Sequence, residues 1–306
     1  MQENKITLNN TTLYFDDCFN IFPSIPDKSI DAIMCDLPFG TTNLQWDSIL
    51  PFNKHLVKIS KGDKKTIIYE NDFLLEQFKL GITYKDAKTF FDNNCILGLW
   101  DHYKRIIKDS GAILLFGQTP FIESLGNSNK EMLKYEWIWE KTQATGHLNA
   151  KKAPMKAHEN ILVFYKNSPT YNPIMSEGHV RKVSSAKNRA ACIERRNDTD
   201  NIYNNEYPDK VNDYDSTTRY PRSVVKFKTD KQTSNLHKTQ KPLALMEFFV
   251  KTYTNEGDII LDNCCGSGTT NLAAEMNNRK SIGIENDLIS FNKSVKRIEN
   301  YLNNSK

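Results

Sequence analysis

A doubly wound α/β fold with a mostly parallel sheet is what this sequence predicts, on three observations. Short apolar runs recur along the chain, stretches with helical periodicity lie between or after them, and one run passes directly into a glycine turn that opens a helix.

The runs Ala32–Cys35, Ala112–Phe116, Ile161–Tyr165 and Ile259–Leu261 each end at a turn signal or polar residue and are too short for a helix, so they read as buried strands. Trp100, Tyr103, Ile106 and Ile107 share one helical face ahead of a stop at Ser110-Gly111. Pro242 opens a second helix, with Leu245, Phe248, Phe249 and Tyr253 on its apolar side and an end near Gly257. Two segments interrupt the alternation. Residues 54–98 have mixed polarity and read as an insertion. Residues from about 167 to 235 are rich in Asn, Asp, Ser, Arg and Tyr and too long for an ordinary connection, which predicts a lid or recognition segment. No fixed-period repeat is present.

The 306 residues, 39% of them hydrophobic and 25% charged, suffice for a substantial core and exclude collagen-like, largely disordered and disulfide-miniprotein classes. No apolar run is long enough to cross a bilayer and the first twenty residues lack a secretory signal's apolar middle, so a soluble intracellular protein without a membrane partner is expected. The six cysteines, Cys18, Cys35, Cys95, Cys192, Cys264 and Cys265, include no C-x-x-C pair; they read as reduced packing residues, and no metal site is expected. Charge is unevenly placed. From Lys141 to Lys241, 19 Lys and Arg face 10 Asp and Glu, a balance of +9, whereas the remainder carries 22 against 27, or −5. A basic middle between acidic ends points to a phosphate-rich partner met by one part of the chain; a solvated charged surface is the plainer alternative.

The run Asp258-Ile-Ile-Leu-Asp262-Asn-Cys-Cys-Gly266-Ser-Gly268-Thr-Thr270 has the form strand, glycine turn, helix. Glycine lets backbone approach a ligand closely, and the helix start offers unpaired N–H groups. A further strand, Ser281–Ile284, ends at Glu285, where an acid can hold both hydroxyls of a ribose. Alone, the G-x-G would be an ordinary tight turn; Glu285 at the right distance favours a nucleoside site. The third glycine of a dinucleotide fingerprint is replaced by Asn271, so an adenosine ligand without pyrophosphate fits better than NAD.

Asp36-Leu37-Pro38-Phe39-Gly40 follows a predicted strand, at the end where open α/β sheets bind ligands. It can be a simple capped turn. It can also serve a planar amine, whose lone pair is delocalised into its ring. Acceptors on both N–H bonds, the Asp36 carboxylate and the Leu37 carbonyl, would localise that pair while Phe39 stacks on the ring.

With these motifs in order, the chain resembles the amino-type DNA methyltransferases that use S-adenosylmethionine, in the permuted arrangement with the catalytic half first. Asp36-Leu37-Pro38-Phe39 resembles the family's Asp-Pro-Pro-Tyr motif; Leu37 replaces a proline whose role is a backbone carbonyl, and Phe39 keeps the stacking face. Ser110–Phe116 and His158–Tyr165 resemble its later strands, and His237-Lys-Thr-Gln-Lys-Pro242 resembles its His-Pro-Thr-Gln-Lys-Pro signature, followed by Asp262…Gly266-Ser-Gly-Thr-Thr270 and Glu285. The resemblance covers roughly residues 11–50, 99–166 and 236–300 and is nearest to bacterial and phage adenine-N6 enzymes.

The resemblance implies a Rossmann-like methyltransferase sheet with an inserted DNA-recognition region. Residues 1–53 and 99–166 would form the catalytic half, 54–98 an insertion, 167–235 the target-recognition region and 236–306 the cofactor half. It implies methyl transfer from S-adenosylmethionine to the N6 amine of an adenine flipped out of double-stranded DNA, catalysed at Asp36, Leu37, Pro38 and Phe39. Asp17 would meet the cofactor's adenine, Gly266 and Gly268 its methionine portion, and Glu285 its ribose, with Asp262, Thr270, Gln240 and Lys241 completing the site. Lys241, at a helix start, would face the methionine carboxylate. Lys151, Lys152, Arg181, Lys182, Arg195 and Arg196 are the expected DNA-phosphate ligands. A homodimer and a cytoplasmic setting, in a bacterial or phage-infected cell, are also implied, and a role in restriction-modification would follow. Three alternatives stand beside this reading: a cytosine-N4 enzyme with the same acceptor geometry, a non-catalytic DNA-binding regulator on the same sheet, and a nicotinamide-dependent oxidoreductase.

Overall fold

The apolar runs come together in one nine-stranded sheet, described here from a computed structural model. It describes residues 4–40, 48–60, 64–198, 211–230 and 240–304, the side chains of 64, 192 and 194–198 excepted. In chain order β1 (Lys5–Leu8) and β2 (Thr11–Phe15) are followed by α1 (Cys18–Ile21) and β3 (Ile30–Cys35). A separate two-stranded sheet, β4 (His55–Ser60) and β5 (Lys64–Tyr69), precedes α2 (Glu70–Lys79) and α3 (Tyr84–Asn94). Next come α4 (Leu99–Ile106), β6 (Ile107–Gly117), α5 (Phe121–Ser128), β7 (Leu133–Thr145) and β8 (Lys156–Phe164). They are followed by β9 (Lys182–Ser184), α6 (Ala186–Asp198), β10 (Tyr214–Ser216), β11 (Val224–Phe227), α7 (Leu243–Tyr253), β12 (Ile259–Asp262), α8 (Thr269–Met276), β13 (Lys280–Glu285) and α9 (Leu288–Asn304).

Strand order across the main sheet is β1-β2-β13-β12-β3-β6-β8-β7-β11. The central block β2, β13, β12, β3 and β6 is parallel throughout, β8 runs antiparallel to both β6 and β7, and β11 adds a parallel edge to β7. The fold is thus α/β with a mostly parallel central sheet. Both faces of its middle are covered, which is why β3 and β6 read as continuous apolar runs rather than alternating ones. Ile33, Cys35, Ile113 and Leu115 pack with Trp100, Tyr103 and Ile106 of α4 on one face. Ala32, Met34, Ala112, Leu114 and Phe116 pack with Leu245, Met246, Phe249 and Val250 of α7 on the other. No helix among the described residues is long and apolar enough to cross a membrane.

The chain divides into two compact units, Met1–Asn172 with Ser223–Lys306, and Pro173–Arg222. The second holds the antiparallel pair β9–β10 and α6 between them in the chain. Val224–Phe227, inside the segment read as 167–235, belongs to the first unit as the edge strand β11. Residues 54–98 have a small core of their own, with Phe73, Ala87 and Phe91 buried against Leu56 and Ile68.

One boundary differs from the sequence reading. Ile107 was expected on the helical face, with the stop at Ser110-Gly111; α4 instead ends at Ile106 and Ile107 opens β6. The β3–β6 register is irregular between Ile30↔Ile107 and Ala32↔Ala112, two residues of one strand facing five of the other, and Gly111 lies in that irregularity. A Cβ at Gly111 would approach the Asp31 carbonyl oxygen to 2.8 Å, so the glycine permits close strand approach rather than ending a helix. At the other end of α4, the Gly98 N–H donates to the Asp101 carboxylate at 2.9 Å, half of a capping box whose reciprocal bond a glycine cannot make.

Candidate active site

Four acids stand just past, or at, the carboxyl ends of four neighbouring parallel strands. In sheet order these are Asp17 after β2, Glu285 at the end of β13, Asp262 at the end of β12 and Asp36 after β3. Their chain order is different, so the row exists only because of the strand crossovers. With neighbouring strands ~4.8 Å apart, it extends about 14 Å. All four line one cleft of about 530 Å³, together with Leu37, Pro38, Phe39, Gln240, Lys241, Gly266 and Thr270.

The glycine turn is pinned from several sides. The Cys265 N–H donates to the Ile284 carbonyl at 3.0 Å and the Gly268 N–H to the Cys265 carbonyl at 2.7 Å. Gly266 N–H and Asp287 N–H each donate to the Glu285 carboxylate at 2.8 Å, to different oxygens. Both glycines have left-handed backbone, φ +52° at Gly266 and +70° at Gly268. A Cβ at Gly266 would find no atom within 4 Å, whereas one at Gly268 would meet Ser294 Cβ at 2.8 Å. Gly266 therefore keeps open space over the cleft, and Gly268 lets α8 pack on α9. From beneath, the buried Tyr103 hydroxyl of α4 donates to the Asn263 side-chain carbonyl.

Asp262 is buried, which pushes its carboxyl up to about 6 against the opposing hydrogen bonds from Thr270 and the Cys264 N–H. Thr270 thus serves Asp262. Burial likewise raises Glu285, opposed by the N–H groups of Asp287 and Gly266. Asp17 caps α1, accepting from the Phe19 N–H at 2.8 Å. Gln240 accepts from the Ser267 hydroxyl at 3.3 Å, and its buried side-chain nitrogen has no partner among the described residues.

At the other end of the row, Asp36 Oδ2 accepts from Lys241 Nζ at 2.5 Å. Asp36 Oδ1 is shielded from water and has no hydrogen-bond partner among the described residues, although the side chain as a whole keeps 30% of its surface toward the cleft. Burial pushes the Asp36 carboxyl up, Lys241 opposes this and Glu159 adds to it. Leu37 is buried. Phe39 is partly buried and leans on Phe121, ring centroids 5.0 Å apart.

Lys241 lines the cleft beside Gln240, and its ammonium lies between Asp36 and Glu159, 3.1 Å from the Glu159 carboxylate. Glu159 in turn pairs with Lys141 at 2.6 Å. Sequence reasoning missed Glu159 and Lys141. Glu159 sits one position beyond the pairing Gly117↔Asn160, and Trp139 of β7 lies directly across from it, two residues before Lys141. An acid two residues ahead of the apolar run Ile161–Tyr165 was the available signal.

Of the expected DNA-phosphate ligands, Lys151 and Lys152 are exposed in the turn between β7 and β8. Arg181 is exposed but forms a two-pronged pair with Asp215, at 2.7 and 2.5 Å, within the second unit; Lys182 is exposed on β9. The side chains of Arg195 and Arg196 lie outside the described residues, as do His237 and Lys238. Among the described residues no group of His, Cys, Asp and Glu is arranged to hold a metal ion, and Cys18, Cys35, Cys95, Cys264 and Cys265 are free thiols.

The profile of the DNA methylase family N6_N4_Mtase matches residues 30–292, from β3 into α9. The chain belongs to this family. It is 24% identical over 325 residues to the Type II methyltransferase M.HindIII of Haemophilus influenzae, covering 94% of each chain. It is 29% identical over 184 residues to the DNA adenine methyltransferase YhdJ of Escherichia coli, covering 59% of this chain and 58% of that one. Among solved structures, the M1.HpyAVI complex with S-adenosylmethionine superposes with a TM-score of 0.54 at 19% identity, covering 94% of this chain and 98% of the other. The cytosine-N4-specific PvuII DNA methyltransferase also gives a TM-score of 0.54, at 15% identity over 97% and 93% of the two chains. These two structures share the fold. As an N6_N4_Mtase DNA methylase, the chain is a methyltransferase acting on DNA, and the oxidoreductase alternative falls away.

Proposed function

We propose that this DNA methylase transfers a methyl group from S-adenosylmethionine to the N6 amine of adenine in double-stranded DNA, with Asp36 and the Leu37 carbonyl as the two acceptors of the amine. The observation that carries the reading is the row Asp17, Glu285, Asp262, Asp36 along one cleft, ending in a carboxylate that keeps part of its surface open to it. Its length suits an extended nucleoside amino acid. The cofactor's adenine would lie at Asp17, its ribose at Glu285, and its methionine portion over Gly266, Gly268 and Asp262, with Gln240 and Thr270 alongside. The open space above Gly266 and the Gln240 nitrogen, without a partner among the described residues, fit such a ligand.

When bound, S-adenosylmethionine supplies a sulfonium methyl already activated for direct transfer. The protein has to orient the reactants and localise the amine's lone pair. The Asp36 carboxylate accepts one N–H and the Leu37 carbonyl the other, which turns the lone pair out of the ring plane. Pro38 restrains the turn, and Phe39 offers a face to the extruded base. Flipping costs a few kcal/mol, and stacking at ~1–3 kcal/mol offsets part of it. The proton released from the amine passes to the Asp36 carboxylate, whose burial raises its affinity for it.

Lys151, Lys152 and Lys182, with Arg181, Arg195 and Arg196, are assigned to DNA phosphates, and the unit Pro173–Arg222 to target recognition. Residues 1–53 and 99–166 then supply the catalytic half and 236–306 the cofactor half, around the insertion 54–98. The relatives M.HindIII and YhdJ are bacterial proteins, which supports a cytoplasmic setting, and a Type II name supports restriction-modification. A homodimer is proposed from resemblance and is tested by light scattering.

Adenine is favoured over cytosine by the aspartate at position 36 and by the similarity to YhdJ, a DNA adenine methyltransferase; the PvuII enzyme shares the fold and acts on cytosine N4. The test incubates the purified chain with tritiated donor and DNA, then digests to nucleosides. Label in N6-methyladenine supports the reading, and label in N4-methylcytosine replaces it. Unlabelled DNA, with donor and DNA both bound, would favour a regulator.

A further inference from the structure

Four alternating charges from four separate elements meet under the Asp36 end of the cleft. Asp36 follows β3, Lys241 precedes α7, Glu159 lies on β8 and Lys141 on β7. The contacts run Asp36 Oδ2 to Lys241 Nζ at 2.5 Å, Lys241 Nζ to Glu159 Oε2 at 3.1 Å, and Glu159 Oε1 to Lys141 Nζ at 2.6 Å. The last three side chains are nearly sealed, with 10%, 8% and 8% of their surface exposed. Rings close the sides: Lys241 Nζ is 5.2 Å from the Phe116 ring centroid and 5.8 Å from that of Phe39, and Lys141 Nζ is 5.2 Å from Trp139.

We propose that Glu159 and Lys141 are positioning residues that act through Lys241 to fix the roll of the Asp36 carboxylate, part of whose surface stays open to the cleft and the substrate amine. The proposal rests on the reading of Asp36 as the amine's acceptor.

The physical argument is one of competition for an ammonium. A lone buried lysine beside Asp36 has three donors and no other acceptor, so it would engage the carboxylate fully and rival the incoming amine. Glu159 draws the ammonium to the far side and shares it. Lys141 then occupies the other Glu159 oxygen, so Glu159 is not left as an uncompensated buried charge. Buried ion pairs add little net stability compared with well-packed apolar side chains, so stability alone gives little reason for four charges here. The aromatic flanks restrict where the Lys241 head group can go, which sets the direction of its hydrogen bonds and hence the roll of the Asp36 carboxylate.

The groups facing Asp36 are Lys241, Glu159 and Lys141, with Asp262 of β12 and Cys264 of the glycine turn on the cofactor side. Lys241 and Lys141 lower the proton affinity of Asp36, while Glu159 raises it. Opposite substitutions therefore have opposite signs. In Lys241→Met the acid limb of kcat/KM against pH moves up, by roughly one to three pH units for loss of an adjacent opposite charge. In the isosteric Glu159→Gln it moves down, because the nearby negative charge is gone and the ammonium turns wholly to Asp36; kcat falls while donor affinity stays the same. Lys241→Arg, which keeps the charge, returns the limb toward that of the parent.

The experiment measures pH–rate profiles of the full chain and these variants with tritiated S-adenosylmethionine and DNA, alongside donor affinity and thermal unfolding. Opposed shifts of the acid limb support the positioning role. Profiles that do not move, or that move in the same direction while only the folded fraction falls, overturn it. If Lys241→Met does not fold, the direction of the Glu159→Gln shift decides. Asp36→Asn separates the two levels. If it retains parental transfer, the reading of Asp36 fails; if it abolishes transfer while the Glu159→Gln limb stays in place, only the positioning role fails.

Discussion

Gly266 and Gly268 sit two residues apart in one turn, both in left-handed backbone, yet alanine should do different damage at each. Forcing an L-residue into this region costs about 1–2 kcal/mol, and that applies to both positions. At Gly268, φ +70°, the new Cβ would also lie 2.8 Å from Ser294 Cβ. Ser294 is buried on α9 with its hydroxyl bonded to the Phe291 carbonyl at 2.7 Å, so it cannot yield without moving the helix. Overpacking of this kind adds ~1–3 kcal/mol, giving ~2–5 kcal/mol for Gly268→Ala. At Gly266, φ +52°, the Cβ meets nothing within 4 Å, so the loss of stability stays near ~1–2 kcal/mol. That same Cβ enters the space assigned to the methionine portion of the donor. The expected pattern is crossed. Gly268→Ala unfolds at clearly lower urea concentration than Gly266→Ala, while Gly266→Ala loses the smaller share of stability and also loses heat of binding when S-adenosylmethionine is titrated in. Gly268→Ala as stable as Gly266→Ala would refute the packing argument. Undiminished donor binding by Gly266→Ala would refute the placement of the donor.

Asp262, raised to about 6 from 3.8 by burial, makes the donor-free protein less stable as pH rises. Its folded state keeps a proton through the window from about pH 4 to 6 that the unfolded chain has lost, so stability drops across that window and levels off above it, by about 3 kcal/mol in total. Asp262→Asn removes this slope; urea midpoints of parent and variant at pH 4.5 and 7 should converge or cross in the variant's favour, and parallel behaviour would count against the assignment. Phe39→Ala removes a stacking face worth ~1–3 kcal/mol, which is a loss on the order of 5- to 150-fold in kcat/KM for DNA. Steady-state rates on duplex DNA test it, and Phe39→Tyr should stay close to the parent. Phe249→Ala empties a fully buried site between α7 and the sheet. It should cost ~3–5 kcal/mol of unfolding free energy.

The elements legible in the sequence were those whose physics is local. β3 and β6 are buried on both faces and so appear as unbroken apolar runs, and Pro242 marks the start of α7. β7 was not read as a strand because its ends carry Lys134, Glu136, Lys141 and Gln143, and only Trp137 and Trp139 are buried. β1 is a short edge strand with no buried residue, and β11 is four residues whose partner lies far back in the chain at Ile138–Lys141. In the site, Asp36, Asp262 and Glu285 were legible because each follows a recognisable strand, whereas Asp17 came from the family resemblance alone. The pairing of Lys241 with Glu159 was not, because it depends on the antiparallel return of β8 beside β6 and on β7 bringing Lys141 next to it. Lys241 was assigned to the donor on the strength of its place at a helix start, and its ammonium is held by the carboxylates of Asp36 and Glu159.

The most direct measurement is a map of modified bases in the DNA of cells expressing either the parent chain or Asp36→Asn at matched protein levels. N6-methyladenine at one short recurring sequence with the parent, and none with Asp36→Asn, is the result expected if the Asp36 carboxylate grips the amine. Methylation that persists in the Asp36→Asn cells, or that falls only on cytosines in the parent, would contradict it.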